Sequence, residues 1–247
     1  MTERSDVPVS VPFLRATRVR ADVPYVGMKT EYVLGRVESG HSTFWAHGRV
    51  WEGRPRALVV LEPGDVHRDL SIDSPVTYQL LFLPEERLDL RVQSTLAPND
   101  PRGAALHRLH DAVAANADTL TLEVAYVEAL DSLREVPVTS HAPTRSVRRA
   151  LELLRERYAE PISLDELSAH AGQDKFHLCR AFRAQVGMPP HAYLTELRIH
   201  RARALLAKGA KPRDVAPQVG LYDQSQLNRH FRRIVGMTPG QFRARVM

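Results

Sequence analysis

The sequence predicts a two-domain α+β protein. An antiparallel β domain with a pair of helices at its end comes first, and a domain built only of helices follows. Two observations support this prediction: the hydrophobic period changes from strand-like to helix-like near residue 101, and one residue pattern occurs twice in the last hundred positions. The length of 247 residues and the 43% hydrophobic content allow one or two folded domains with real cores.

The β domain is predicted from short runs of Val, Thr, Tyr, Phe and Trp that Gly and Pro interrupt. The candidate strands are Phe13–Val19, Tyr32–Val37, Thr43–Trp51, Arg56–Leu61 and Val76–Leu83. Reversals are predicted at Ser39-Gly40, Glu52-Gly53 and Pro63-Gly64-Asp65, because these residues suit tight turns. The pattern favours a small antiparallel barrel or sandwich.

Two amphipathic helices are predicted after residue 101, where apolar residues recur at steps of three and four. These residues are Leu106, Leu109 and Val113 in the first helix and Leu122, Tyr126, Ala129 or Leu130, and Leu133 in the second. The segment Asn116–Thr119 connects them. Two interpretations stay open: the pair completes the core of the β domain, or it presents a face that forms a dimer.

A repeat with a spacing of 49 positions dominates the rest of the chain. Leu178, Arg180, Phe182, Arg183, Val186, Gly187, Met188 and Pro190 recur as Leu227, Arg229, Phe231, Arg232, Val235, Gly236, Met237 and Pro239. A glycine turn precedes each copy, at Ala171-Gly172 and Val219-Gly220. Two copies are too few for a solenoid. We therefore expect two helix-turn-helix units, at about 163–186 and 212–235.

Capping residues support both units. Ser163 and Glu166 form a capping-box pattern, and Asp174 and Asp223 each precede a predicted second helix. Pro217 departs from this regularity, because a proline inside a helix removes a backbone hydrogen bond and costs about 3 kcal/mol or more. The first helix of the second unit is therefore expected to be short or kinked.

The charge distribution points to a polyanionic partner. Residues 1–140 carry 15 Lys and Arg against 20 Asp and Glu, whereas residues 141–247 carry 19 against 9. A basic excess in one segment is typical of nucleic-acid binding. The helix predicted between the units, Ala192–Lys208, would span about 25 Å. Adding part of each unit to this length brings the two second helices to roughly 34 Å apart, which is one turn of duplex DNA.

The C-terminal segment, from about Arg145 to Val246, resembles the DNA-binding domain of AraC/XylS-type bacterial transcription regulators. The strongest match is Asp223–Arg233 followed by Val235–Pro239. The resemblance implies seven helices, two helix-turn-helix motifs, double-stranded promoter DNA as the partner, RNA polymerase as a further partner and a homodimer. Carried over by position, it implies base contacts from Phe176, Cys179 and Arg180 in the first motif and from Gln224, Ser225, Asn228 and Arg229 in the second. Cys179 departs from the family, which often has a polar residue there, and a thiol is a weak hydrogen-bonding group.

The N-terminal segment resembles the cupin-like effector domain that is often fused to such regulators. The match rests on Val33–Gly40 and on Leu58–Glu62 followed by Pro63–His67. It implies a cupin-like β-barrel that binds a small-molecule effector. The candidate effector-binding residues are Trp45, His47, Trp51, His67 and Tyr78.

Two other functions were weighed against regulation. A cupin metalloenzyme would use His41, His47 and His67, but a strand places the first two about 20 Å apart, too far to share one metal ion. We therefore predict no catalytic residue, no metal and no cofactor. A nonspecific architectural DNA-binding protein stays open, and it would show weak sequence preference.

The predicted organisation is an effector and dimerisation domain at 1–136, a linker at 137–144 and the DNA-binding domain at 145–247. The single cysteine suits a reducing compartment. The first eleven residues do not form a signal peptide, and the longest aliphatic run, Ala57–Leu61, is far too short to span a membrane. A cytoplasmic location is expected, with no membrane partner.

Overall fold

The computed structural model describes residues 2–83, 94–134 and 143–246. The chain divides into two compact units, Met1–His141 and Ala142–Met247. The linker predicted at 137–144 falls mostly outside the described residues. No helix within the three described ranges is long and apolar enough to cross a membrane.

The N-terminal unit contains an antiparallel sheet with eight strands among the described residues. They are β1 (Thr2–Val7), β2 (Arg15–Ala21), β3 (Val26–Met28), β4 (Tyr32–Ala46), β5 (Arg49–Gly53), β6 (Leu58–Leu61), β7 (Val66–Leu83) and β8 (Ser94–Leu96). The order is β1-β2-β7-β4-β6-β8, with β3 paired to β7 and β5 paired to β4. The sequence patterns did not identify β1, β3 and β8, which are short or polar.

The two long strands β4 and β7 pair with each other and bend the sheet. They pair from Tyr32↔Leu83 to Trp45↔Arg68, and the register shifts four times between Val37 and Phe44. Gly40 has a φ of 85°, and a Cβ there would lie 2.3 Å from the Pro75 carbonyl oxygen. The predicted reversal at Ser39-Gly40 is therefore wrong. The glycine forms a bulge that bends a continuous strand.

The reversal between β4 and β5 lies at His47-Gly48, inside the predicted strand Thr43–Trp51. Both residues have positive φ, 54° and 77°, and Ala46 pairs with Arg49 across the turn. A two-residue loop with positive φ at both positions matches the right-handed twist of the flanking strands. The reversal predicted at Glu52-Gly53 is also wrong, because Gly53 belongs to β5 and pairs with Ser42.

Two helices cover one face of the sheet. Helix α1 (Ala104–Ala114) continues a short 3-10 helix at Pro101–Gly103, and α2 (Thr119–Leu133) begins at the cap Asp118. Their buried residues share one core with the sheet, including Leu34, Leu58, Leu81, Leu96, Leu106, Leu109, Val113, Leu122, Tyr126, Ala129 and Leu133. The helix pair thus completes the core of the β domain, as one of the two interpretations predicted.

The C-terminal unit has seven helices among its described residues. They are α3 (Arg145–Glu156), α4 (Leu164–Ala171), α5 (Lys175–Val186), α6 (Pro190–Ala207), α7 (Pro212–Gln218), α8 (Gln224–Val235) and α9 (Pro239–Val246). The central helix α6 contacts both halves of the unit. Its Tyr193 meets Phe182 of α5 with ring centroids 5.8 Å apart, and its Ile199 belongs to the core formed with α7 and α8.

Candidate nucleic-acid interface and barrel cavity

The first helix-turn-helix motif consists of α4 and α5. Ser163 caps α4, since its hydroxyl accepts from Glu166 N at 3.1 Å. Gly172 ends the helix at φ 67°, in the left-handed region that glycine occupies without steric cost. Asp174 then caps α5 by accepting from Phe176 N and His177 N at 2.9 and 3.3 Å. The caps fix where the second helix begins.

The outer face of α5 carries the residues that the family resemblance selects. Leu178, Phe182 and Val186 are buried at steps of four, so the remaining sides of the helix face outward. Phe176 is 78% exposed, which is unusual for so large an apolar side chain, and Arg180 is exposed as well. Cys179 is half-buried and free.

The second motif, α7 and α8, has the same construction. Asp223 caps α8 by accepting from Gln226 N at 2.7 Å, and Leu227 and Phe231 are buried beneath the helix. Helix α7 ends at Gln218, one residue after Pro217. The expectation of a short helix is confirmed, and because the proline lies in the last turn, few backbone hydrogen bonds are lost.

The outer face of α8 is hydrophilic. Gln224, Ser225 and Arg229 are exposed, and Asn228 is half-buried. Tyr222, which precedes the cap, is 93% exposed, and its backbone N donates to Gln226 Oε1 at 2.8 Å. Sequence reasoning missed Tyr222. The sequence signal that could have identified Tyr222 is its position directly before the N-cap residue Asp223.

The arginines on these two faces are not neutralised. Arg180, Arg183, Arg229 and Arg232 form no ion pair with any described residue of the chain. Burial, with Arg233 and Arg229 close by, lowers the pKa of His230 from its usual value. Lys175, at the start of α5, pairs with Asp165, whereas these four arginines have no ion pair among the described residues.

The N-terminal unit contains a cavity of about 80 Å³ on the side of the sheet away from α1 and α2. Tyr32 and Leu34 of β4 pack into the core with the helices, whereas Val33, Gly35 and Val37 of the same strand line the cavity. This division follows from the alternation of side chains along a strand.

Two of the five candidate effector residues, His67 and Tyr78, line this cavity. The other three, Trp45, His47 and Trp51, are not among the residues that line it, and their role as effector contacts stays a prediction. Trp45 is buried in the sheet, Trp51 donates to the Ala46 carbonyl at 3.0 Å, and His47 lies 3.2 Å from an Asp65 carboxylate oxygen. Sequence reasoning assigned them by residue type.

Burial controls the ionisation of the polar residues in the cavity. It lowers the pKa of His67 to about 3, helped by the charges of Lys29 and His47, so the imidazole is neutral near pH 7. Burial also raises the pKa of Tyr78, whose hydroxyl lies 3.0 Å from Ser42 Oγ. The Asp69 carboxyl, likewise buried, has a raised pKa, although the Tyr25 N–H and Lys29 oppose the shift. The sequence-based candidates did not include Asp69.

The three histidines of the metalloenzyme alternative are held in separate surroundings. His41 pairs with Asp73 at the exposed surface, His47 lies against Asp65, and His67 faces the cavity. Within the described residues, no group of three or more His, Cys, Asp or Glu side chains could hold a metal ion.

These features define a class: a two-domain protein with a cavity-bearing β domain and two helix-turn-helix motifs with cationic outer faces. A family model described as a helix-turn-helix domain matches residues 167–245. The transcriptional regulator YbfI of Bacillus subtilis is 29% identical over 215 residues, which are 79% of this chain and 78% of that protein. A putative AraC-like transcription regulator of Streptomyces antibioticus is 34% identical over 41% of this chain and 34% of its own length.

A solved structure shares the whole fold. ToxT from Vibrio cholerae aligns over 95% of this chain and 98% of its own, with a TM-score of 0.52 and 12% identity. The same protein has been solved bound to (E)-4-(8-methylnaphthalen-1-yl)but-3-enoic acid. The chain is a DNA-binding transcription regulator and is similar to regulators of the AraC type.

Proposed function

We propose that the regulator reads two adjacent major-groove segments of promoter DNA with α5 and α8, under the control of a small molecule in the β domain. The observation that carries this proposal is the pair of capped helices whose outer faces hold unpaired arginines beside polar or apolar groups. In helix-turn-helix proteins the start of the second helix enters the major groove. The caps Asp174 and Asp223 place the proposed base-reading residues at that start.

In the second motif, Gln224, Ser225, Asn228 and Arg229 read base edges. An Asn or Gln amide can form two hydrogen bonds with adenine, and an arginine can do so with guanine. Arg232 lies further along the helix and contacts phosphates, because cations near the groove edge neutralise the backbone. The second motif therefore supplies most of the hydrogen-bonded specificity.

In the first motif, Phe176, Cys179 and Arg180 form the reading face. Arg180 supplies the hydrogen bonds, whereas Phe176 offers an apolar surface of the kind that contacts a thymine methyl group. The two motifs thus recognise different chemical groups on the bases, and the DNA site is asymmetric.

Arg229→Ala tests the assignment of base reading. Loss of a bidentate contact weakens binding to the preferred site by about 1 to 3 kcal/mol and relaxes preference at one base position. Binding to a randomised DNA library measures both effects. Arg49→Ala, which removes an exposed arginine from the β domain, serves as the control and leaves both unchanged.

Two outcomes contradict this part of the proposal. Equal weakening on all sequences would make Arg229 a phosphate contact. Uniform protection along DNA in a footprint would favour the nonspecific architectural protein instead, because paired groove readers protect a discrete site.

The β domain is proposed to bind the effector in its cavity. Support comes from the mostly apolar lining and from the few polar groups that converge on it, which is the usual composition of a small-molecule site. ToxT, which shares the fold, holds an organic acid in one solved structure. The cavity residues His67 and Tyr78 remain our candidates for effector contact.

The homodimer is proposed to form through α2. Leu120, Val124 and Val127 lie at steps of four and three on this helix and are 69%, 50% and 63% exposed. Such spacing puts them on one stripe, and an exposed apolar stripe favours association with a second copy. The helix thus uses one side for the core and the opposite side for the partner.

Val124→Asp tests this interface by sedimentation analysis of the full chain. We expect wild-type dimers and monomeric Val124→Asp, while Val23→Asp, which charges an exposed valine outside α2, leaves the dimer intact. A monomeric wild-type chain, or dimers that persist in Val124→Asp, would contradict the proposal.

We further propose that the protein has no catalytic activity, acts in the cytoplasm and meets RNA polymerase at the promoter. Relatives named as transcription regulators support this proposal. Metal analysis of the purified full chain tests the enzyme alternative, which a stoichiometric transition metal would favour. Co-purification with the polymerase on promoter DNA tests the second partner.

A further inference from the structure

The cavity of the N-terminal unit is apolar over most of its wall. Side chains from β2, β4, β6 and β7 form this part, including Val19, Ala21, Val33, Val37, Phe44 and Leu80. Gly35 also lies in this wall, where a Cβ would crowd Val59 Cγ1 at 3.0 Å. The volume of about 80 Å³ is several times what one water molecule needs.

One polar atom in this wall lacks a partner. Asp69 is 7% exposed, and its Oδ2 accepts from Tyr25 N at 3.1 Å. Its Oδ1 is buried without a hydrogen-bond partner among the described residues. His67 Nε2 lies 3.7 Å from this oxygen, which is too far for a hydrogen bond. Buried polar atoms nearly always have partners, so an orphaned oxygen in a residue that lines a cavity indicates a missing donor.

The neighbouring groups do not provide that donor. The His67 imidazole is neutral near pH 7 and lies too far away, and the Tyr78 hydroxyl already pairs with Ser42. A carboxylate oxygen left unpaired in such a site destabilises the protein, and a ligand that donates to it removes the penalty. The polar requirement of the ligand is therefore set by Asp69.

Asp69 disfavours a ligand carboxylate placed beside it. Three charged residues line the cavity, the acidic Asp69 and the basic Arg4 and Lys29, so the repulsion concerns only a ligand group that approaches Asp69 itself. A ligand carboxylate would place a second negative charge beside a buried carboxyl, and like charges in an apolar site repel strongly. A neutral donor meets the same carboxyl without that repulsion.

We infer that the cavity binds a small, mostly apolar, uncharged molecule of the phenol or alcohol class, whose hydroxyl donates to Asp69 Oδ1. This inference rests on the proposed effector site and specifies the chemistry of its ligand. Asp69 is a specificity-determining residue of that site.

The test compares three probes that share a 4-ethylphenyl group, by calorimetry with the full chain: 4-ethylphenol, 4-ethylanisole and 4-ethylbenzoate. The phenol can donate, the anisole can only accept, and the benzoate is an anion. We expect the phenol to bind about tenfold or more tightly than either of the others, as one hydrogen bond to a charged group provides.

Asp69→Asn should reverse the preference of the cavity between a hydrogen-bond donor and an acceptor. Tyr25 N–H needs an oxygen partner, so the amide oxygen takes the Oδ2 position and the amide NH₂ faces the cavity. We expect the phenol to lose about tenfold in affinity and the anisole to gain relative to it. Asp73→Asn, on the same strand but at the exposed surface, is the matched control and changes neither affinity. Tryptophan fluorescence melting verifies that both variants fold.

The possible outcomes distinguish failure of this inference from failure of the proposed effector site. Benzoate binding more tightly than the phenol, equal binding of phenol and anisole, or an Asp69→Asn variant with wild-type affinities would overturn the inference and leave the proposed effector site standing. Failure of all three probes to bind would overturn both the inference and the effector site.

Discussion

A methyl group at Gly220, in the turn of the second helix-turn-helix motif, should destabilise the C-terminal unit. Its φ of 75° lies in the left-handed region, and a Cβ there would lie 2.5 Å from the Ala159 carbonyl oxygen and 2.9 Å from the Ala159 Cα. Gly220→Ala thus introduces both backbone strain and a clash with backbone atoms, which cannot rotate away as a flexible side chain would.

The structure allows the two effects to be separated. Left-handed backbone costs an alanine about 1 to 2 kcal/mol, of which roughly half is offset because alanine restricts the unfolded chain. Forcing extra volume into a packed contact adds about 1 to 3 kcal/mol. Gly236 has a similar φ of 85° and open space around its Cβ position, so Gly236→Ala carries only the first effect.

We therefore expect Gly220→Ala to lower the free energy of unfolding of the C-terminal unit by about 2 to 4 kcal/mol and Gly236→Ala by about 1 kcal/mol. Both tryptophans, Trp45 and Trp51, lie in the N-terminal unit, whereas the C-terminal unit is all helix. In urea, far-ultraviolet circular dichroism should report the loss in the helical unit, while the fluorescence transition stays unchanged. Equal destabilisation by the two substitutions would refute the contact with Ala159 as its cause.

Three further predictions concern stability. Lowering the pH from 7 to 5 should lower the free energy of unfolding of the N-terminal unit by about 2 kcal/mol through His67. The reason is that the His67 pKa of about 3 in the folded protein lies below the usual 6.5, so the unfolded chain takes up the proton first. Urea titrations of His67→Gln should show a flatter pH dependence. Asp174→Ala should lower the free energy of unfolding of the C-terminal unit by about 1 kcal/mol, since two N–H groups lose their acceptor. Asp174→Ser should restore most of this loss. Unchanged melting of the alanine variant would argue against the cap. Gly40→Ala should lower the fluorescence-detected unfolding midpoint, because a Cβ there meets the Pro75 backbone; an unchanged midpoint would argue against this contact.

Local signals in the sequence were sufficient for the two helix-turn-helix motifs. The caps Ser163, Asp174 and Asp223 form the hydrogen bonds expected of them, and the apolar rows through Phe182 and Phe231 are buried. Helices depend on residues three or four positions apart, so a short window of sequence contains most of their determinants.

The β domain was harder to predict in detail. Gly40 was interpreted as a reversal and proved to be a bulge, because the difference depends on the partner strand β7 more than thirty positions away. The polar edge strand β1 gave no hydrophobic signal, yet Thr2 and Arg4 line the cavity. Strand pairing is non-local, and residue types alone do not determine it.

The sequence by itself determined the family resemblance, the two motifs and the residues at the start of each second helix, because helix caps and periodicity are local properties. Only the tertiary structure decided which side chains face the cavity. It placed His67 and Tyr78 there and added Asp69, whereas Trp45, His47 and Trp51 are not among the lining residues. The physical reason is that a strand residue faces one side or the other according to its register, and bulges formed against a distant strand set that register.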